Sequence, residues 1–135
     1  MTPMLPRSLT TLMVATDLAF IAYWLVTALH LLPPELLYND YNDPWMVDWN
    51  WSFLPIDLLV SLTGFAALLA ARRRSPASTQ LALVSLTLTS ASGLMALSFW
   101  TLRHDLDPAW WLPNLFLLLY PLPFLRRLLT ARSAP

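Results

Sequence analysis

Trp49-Asn50-Trp51-Ser52-Phe53-Leu54-Pro55-Ile56-Asp57-Leu58 is the stretch that decides how the chain is read. It leads from an acidic, aromatic loop into a long apolar run and carries a carboxylate, Asp57, past the point where water should end. From about residue 52 to residue 71 the run has no other charge, and Arg72-Arg73-Arg74 stops it abruptly. About 20 residues of helix, at about 1.5 Å each, cover the roughly 30 Å of hydrocarbon in a bilayer. The run therefore reads as a transmembrane helix with an acid near one end.

The remainder of the chain repeats this pattern. Hydrophobic residues make up 57% of the 135 residues and charged residues only 12%, against a usual charged share of about a quarter. A chain this short cannot hide that much apolar surface in a water-soluble core. Further apolar runs at about 9–32, 80–102 and 109–125 give three more spans. The first could be mistaken for a cleaved leader, but it is longer than the usual apolar region and contains Asp17. Pro33-Pro34 ends it, since proline cannot continue a helix.

The outer loop, 33–51, holds Glu35, Asp40, Asp43 and Asp48, no basic residue, and the tandem Tyr38-Asn39-Asp40, Tyr41-Asn42-Asp43. Asp43-Pro44, Ser75-Pro76 and Asp107-Pro108 each place proline after a capping residue, a helix-start signature. Ser52 is the expected cap of the second span. Asp43-Pro44 predicts a short interfacial helix over 44–49 with Trp45, Met46 and Trp49 turned toward lipid headgroups. The expected fold is an all-α membrane protein: one integral domain over 1–135, a four-transmembrane-helix bundle with a short interfacial helix in the first outer loop.

Charge sets the expected orientation. Arg7, Arg72 to Arg74, Arg126, Arg127 and Arg132 fall on one side of these spans. Arg103 alone falls on the other, with Asp105, Asp107 and the loop acids. Trp45, Trp49, Trp51, Trp100, Trp110 and Trp111 gather on that second side as an aromatic belt would. The positive-inside rule then puts both termini in the cytoplasm. All eight basic residues are Arg, in a chain rich in Ala, Leu and Pro, a composition that suggests a bacterial inner-membrane protein.

Small residues mark helix contacts in lipid. Ser85, Thr89 and Gly93, with Ser92 and Ala96 beside them, face the second span's Gly64, Ala66, Ala67, Ala70 and Ala71 in this reading. Spans two and three should pack closely there. Pro121 and Pro123 remove two backbone donors from the fourth span and predict a kink.

Two carboxylates sit inside apolar spans, a costly placement unless they are paired, protonated or wet. Asp57 lies about 7 Å below the outer boundary and Asp17 about 12 Å above the inner one. Because the helices run in opposite directions, a carboxylate dyad is not expected. Asn114 and His30 share the expected level of Asp57, with Arg103 and His104 nearby and Trp51 and Trp110 as an aromatic lid. This group predicts an outward-facing polar pocket. On the inner side, Asp17 is grouped with Tyr120, Trp24 and the carbonyls freed by Pro121 and Pro123. In each case the competing reading is hydrogen bonding that merely locks helices together.

Other chemistry is excluded or lacks a signal. With no Cys, disulfides, thiolate catalysis and Cys-ligated metals are ruled out. The loop acids match no calcium- or magnesium-binding spacing, and two His without Cys give no zinc signature. No glycine-rich phosphate loop, nucleophile elbow or basic nucleic-acid patch is present. No metal, cofactor or nucleic-acid partner is expected.

Thr16-Asp17, Tyr23-Trp24, Asp40-Tyr41, Asn42-Asp43-Pro44 and above all the 49–58 stretch resemble the YvaD-like small bacterial membrane proteins. The resemblance covers the first half of the chain. It implies a four-helix membrane protein and supplies no activity. Three functions remain open on the residues. The chain could be a binding or accessory protein taking a lipid or lipophilic small molecule. It could be a membrane isomerase or cyclase with Asp57 as general acid or base. It could be a proton-coupled transporter working as a homodimer through Asp17.

Overall fold

The computed structural model describes residues 5–132. In order, its elements are α1 (Arg7–Ala28), one 3-10 turn (Pro34–Leu36), α2 (Pro44–Ser52), α3 (Leu54–Arg72), α4 (Ala77–Leu102), α5 (Pro108–Leu119) and α6 (Pro121–Arg132). No strand occurs among the described residues. Three rods are long and apolar enough to cross a membrane: α1, α2 with α3 as one run over Pro44–Arg72, and α4.

The join between α2 and α3 differs from the expected break. Phe53 stays in the right-handed helical region, at φ −80° and ψ −19°, so the chain bends without leaving the helix. Pro55 has no N–H for the Trp51 carbonyl, which weakens the ladder at the bend. Ser52 does not cap α3. It is the last residue of α2, and its hydroxyl donates back to the Trp49 carbonyl at 2.6 Å. Asp43 does cap α2, accepting from the Trp45 N–H at 3.0 Å, and Asp107 caps α5 in the same way.

The face of α2 also needs correction. Met46 is only 2% exposed, so it packs inward instead of meeting headgroups. Trp49 stacks on Phe99 with centroids 4.1 Å apart and lies edge-on to Trp100 at 5.2 Å. Only Trp45, 83% exposed, stands clear of the protein among the three expected at the interface.

The fourth expected span is split. α5 has 12 residues, about 18 Å of helix, and cannot alone match a bilayer. Tyr120 remains helical at φ −64° and ψ −31°, so α5 and α6 form one bent rod. Pro121 and Pro123 deprive the Leu117 and Leu119 carbonyls of their helical donors. Ser90 on α4 donates to the carbonyl between them, Leu118, at 2.6 Å.

The helices pack in a row: α1 against α3, α3 against α4, and α4 against both α5 and α6. The α3–α4 face is the most extensive, as the small residues suggest, and Ser85 donates across it to the Val60 carbonyl at 3.1 Å. The two glycines, however, serve other neighbours. A Cβ on Gly93 would sit 2.6 Å from the Asn114 carbonyl and 2.8 Å from the Leu118 N–H, so this glycine admits α5. A Cβ on Gly64 would collide with the Asp17 carboxylate, so that glycine admits a side chain from α1.

The buried apolar core lies toward the arginine-rich end, where Leu5, Leu9, Met13, Ala67, Ala82, Leu86 and Leu128 cluster. The tryptophan-rich end is built differently. Leu36, Leu37 and buried Tyr38 fold over it, and Asn39 donates to Asp105 at 3.1 Å. Arg103 bridges to Asp40 at 3.2 Å. The tandem tripeptide thus fastens the loop after α1 to the α4–α5 turn.

Candidate functional site

The packing row leaves one seam open. α1 and α5 share no packed interface; the Thr16 hydroxyl donates to the Tyr120 hydroxyl at 3.0 Å and ties them toward the arginine-rich end. Above that tie lies a cavity of about 530 Å³. Ala15, Ala19, Phe20 and Tyr23 of α1 line one wall, and Trp110, Pro113, Asn114, Phe116 and Leu117 of α5 line the other. Asp57, Ser92, Ala96 and Trp100 form the back, and Trp49, Asn50 and Phe53 close the tryptophan-rich end.

Asp57 is brought there by position four of α3 and is 5% exposed. Both carboxylate oxygens are occupied. Trp24 Nε1 donates to Oδ2 at 3.0 Å and Ser92 Oγ donates to Oδ1 at 3.0 Å. Three helices are thereby pinned on one acid. Helix ends explain the meeting: Trp24 is four residues before the end of α1 and Asp57 is the fourth residue of α3. Antiparallel neighbours with such offsets share a level.

The residues expected around Asp57 are only partly gathered. Asn114 lines the cavity, yet its Nδ2 donates to the Trp110 carbonyl of its own helix at 2.8 Å. Trp110 lines the cavity too. Trp51 does not; its ring packs behind Trp24 with centroids 5.4 Å apart. His30 must be removed from the group. It is exposed and sits at φ 52° just past α1.

His30 instead ends a helix. Its N–H bonds the Thr27 carbonyl and the next N–H bonds Val26, the paired pattern of a Schellman stop. Arg74 and His104 occupy the same position after α3 and α4, at φ 54° and 56°. Both histidines are therefore backbone stops.

The second acid stands apart. Asp17 is 1% exposed and pressed on Gly64, and its carbonyl accepts from Ser61 Oγ at 3.1 Å. Its Oδ2 has no hydrogen-bond partner among the described residues. Gly64 is seven residues beyond Asp57 on α3, about 10 Å along the axis, so the two carboxylates form no dyad. Tyr120 lies near Asp17 but bonds its neighbour Thr16. Trp24, grouped with Asp17 from the sequence, belongs with Asp57.

Sequence reading missed Asn50 and Tyr23. The Tyr23 hydroxyl donates to Asn50 Oδ1 at 2.6 Å, and both line the cavity. Asn50 sits within a Trp-Asn-Trp tripeptide, and a buried amide between two indoles was the available signal. Three buried polar atoms lack a partner among the described residues: Asp17 Oδ2, Asn50 Nδ2 and Trp110 Nε1. No group of three His, Asp or Glu side chains among the described residues is placed to hold a metal.

Comparison with known proteins extends the resemblance beyond the first half of the chain. Residues 9–134 match a family described as "Family of unknown function (DUF5360)". The chain is 46% identical over 114 residues to "Uncharacterized protein YvaD" of Bacillus subtilis (strain 168), covering 84% of this chain and 86% of that one. No solved structure matches. With the match spanning all of the helices, the chain belongs to this YvaD-like family.

Proposed function

We propose that the protein is a four-span membrane protein that holds a lipophilic molecule in the cavity between α1 and α5. The bent α5–α6 rod makes the fourth crossing. The arginine-rich end faces the cytoplasm and the tryptophan-rich end faces outward. The helix surfaces support insertion: Leu18, Leu25, Leu62, Leu69, Leu94, Met95 and Leu112 are all exposed. In hydrocarbon such side chains need no further cover.

One observation carries the binding reading: the open seam, with apolar walls and a few polar groups at one end. That is the general form of a small-molecule site. A hydrocarbon chain would lie against Ala19, Phe20, Phe116 and Leu117 and enter sideways from the bilayer. Asp57 serves as the pin of the back wall. With both oxygens already accepting, it is poorly placed as a general acid or base, which weighs against the enzyme reading.

Native mass spectrometry of protein released gently from membranes tests this. Wild type is expected to carry a lipophilic adduct, and Ala19→Trp, which fills the cavity, to lose it while remaining folded. Equal adduct in both would overturn the proposal.

A further inference from the structure

We infer that the molecule held in the cavity carries a weakly hydrated cation, such as a quaternary ammonium, at the tryptophan-rich end. This rests on the binding reading above and names the ligand's charged group. Two features of the lining point to it independently. The first is Asp57, the one carboxylate among the lining residues. Both of its hydrogen bonds, from Trp24 and Ser92, are accepted, as an ionised carboxylate accepts them. No Arg or His lines the cavity, and the chain has no Lys. Arg103, the basic residue at this end, is bridged to Asp40 and lies over the Phe99 ring, neither of which lines the cavity. A buried anion without a counter-charge is costly, so the lining is short of one positive charge.

The second feature is aromatic. Tyr23, Trp24, Trp49, Phe53, Trp100 and Trp110 all belong to the lining. Trp49 has its ring centroid 4.9 Å from Phe53 and 5.2 Å from Trp100, and Tyr23 lies 5.0 Å from Trp24. Groups of aromatic side chains attract cations and are the usual recognition element for quaternary ammonium. The occupied oxygens of Asp57 select the kind of cation. A primary ammonium brings three N–H donors that need acceptors. A quaternary ammonium brings none and is held by charge and ring contact alone. A phosphate or carboxylate would enter beside Asp57 without a counter-charge. The ligand is therefore a lipophilic cation without an attached phosphate.

The test uses three probes with the same tail: dodecyltrimethylammonium, its uncharged isostere 2,2-dimethyltetradecane, and dodecylphosphocholine. Each is titrated at low mole fraction into the full-length protein in nonionic detergent, and affinity is read from thermal stabilisation over the same protein without probe. Wild type is expected to prefer the cation over the isostere by about tenfold, as a desolvated cation over aromatic rings does, and to bind the phosphocholine more weakly than the plain cation. Asp57→Asn keeps the shape and removes the charge, and should abolish most of the cation's advantage. Trp110→Leu should reduce it too, and decides the matter alone if Asp57→Asn does not fold. Equal wild-type affinity for cation and isostere, or an advantage that neither variant reduces, would overturn the inference but leave the cavity reading standing. Tightest binding of dodecylphosphocholine would overturn the exclusion of phosphate and assign the site to a lipid headgroup. If wild type binds none of the three, the cavity reading fails and the inference with it.

Discussion

Trp24 Nε1 donates to Asp57 Oδ2 at 3.0 Å, joining α1 to α3 through a carboxylate that also accepts from Ser92 of α4. Removing either side of the Trp24–Asp57 bond leaves a buried polar atom unpaired. Trp24→Phe is expected to lower stability by about 2 kcal/mol. Asp57→Asn should cost a similar amount, because the amide cannot accept on both sides. The double variant should lose less than the sum, since the two residues share one bond. Thermal melting of the four proteins in one detergent measures this coupling; full additivity would mean that the contact contributes nothing.

Gly64 is required by what faces it. Gly64→Ala drives a methyl into the Asp17 carboxylate and should destabilise by about 1–3 kcal/mol, as overpacking does. Asp17→Ala in the same chain removes the obstruction and should restore most of the loss. Failure of that rescue would show that Gly64 serves the helix itself and not the neighbouring acid.

Two histidines should be replaceable with profit. His30 and His104 hold left-handed backbone at φ 52° and 56°, a conformation that costs a residue with a Cβ about 1 kcal/mol or more. His30→Gly and His104→Gly are each expected to raise the melting temperature. A fall in either would place that imidazole in an interaction more useful than the backbone relief.

The proposed topology rests on arginine placement. Reporter fusions after residue 132 and within residues 72–76 should be cytoplasmic, and one within residues 38–42 should be external. Exchanging Arg72, Arg73 and Arg74 for Ala should yield a mixed orientation. A uniform orientation in that variant would mean that the remaining arginines suffice.

What the sequence made legible follows from physics that acts locally. Apolar length located the helices, Asp43-Pro44 and Asp107-Pro108 located two helix starts, and Pro121 with Pro123 located the bend. Ser52 misled because a serine opening an apolar run with proline in its first turn looks like a cap, whereas Phe53 kept helical geometry and left no gap to cap. Gly93 showed that two backbones approach, but spacing cannot say which neighbour benefits; α5 does. The partners of Asp57 were half visible. Counting residues from the helix ends places Trp24 level with it, whereas a position just past the end of a helix, such as His30's, is as often a backbone stop as a site. The seam between α1 and α5 has no sequence signature, since it depends on a pair of helices that share no extensive packed face.

The most direct measurement is an experimental structure obtained from a lipidic mesophase without stripping native lipid. Elongated density is predicted between α1 and α5, lying against Ala19, Phe20, Phe116 and Leu117. A structure in which α1 packs on α5 and the seam is closed would contradict the existence of the site.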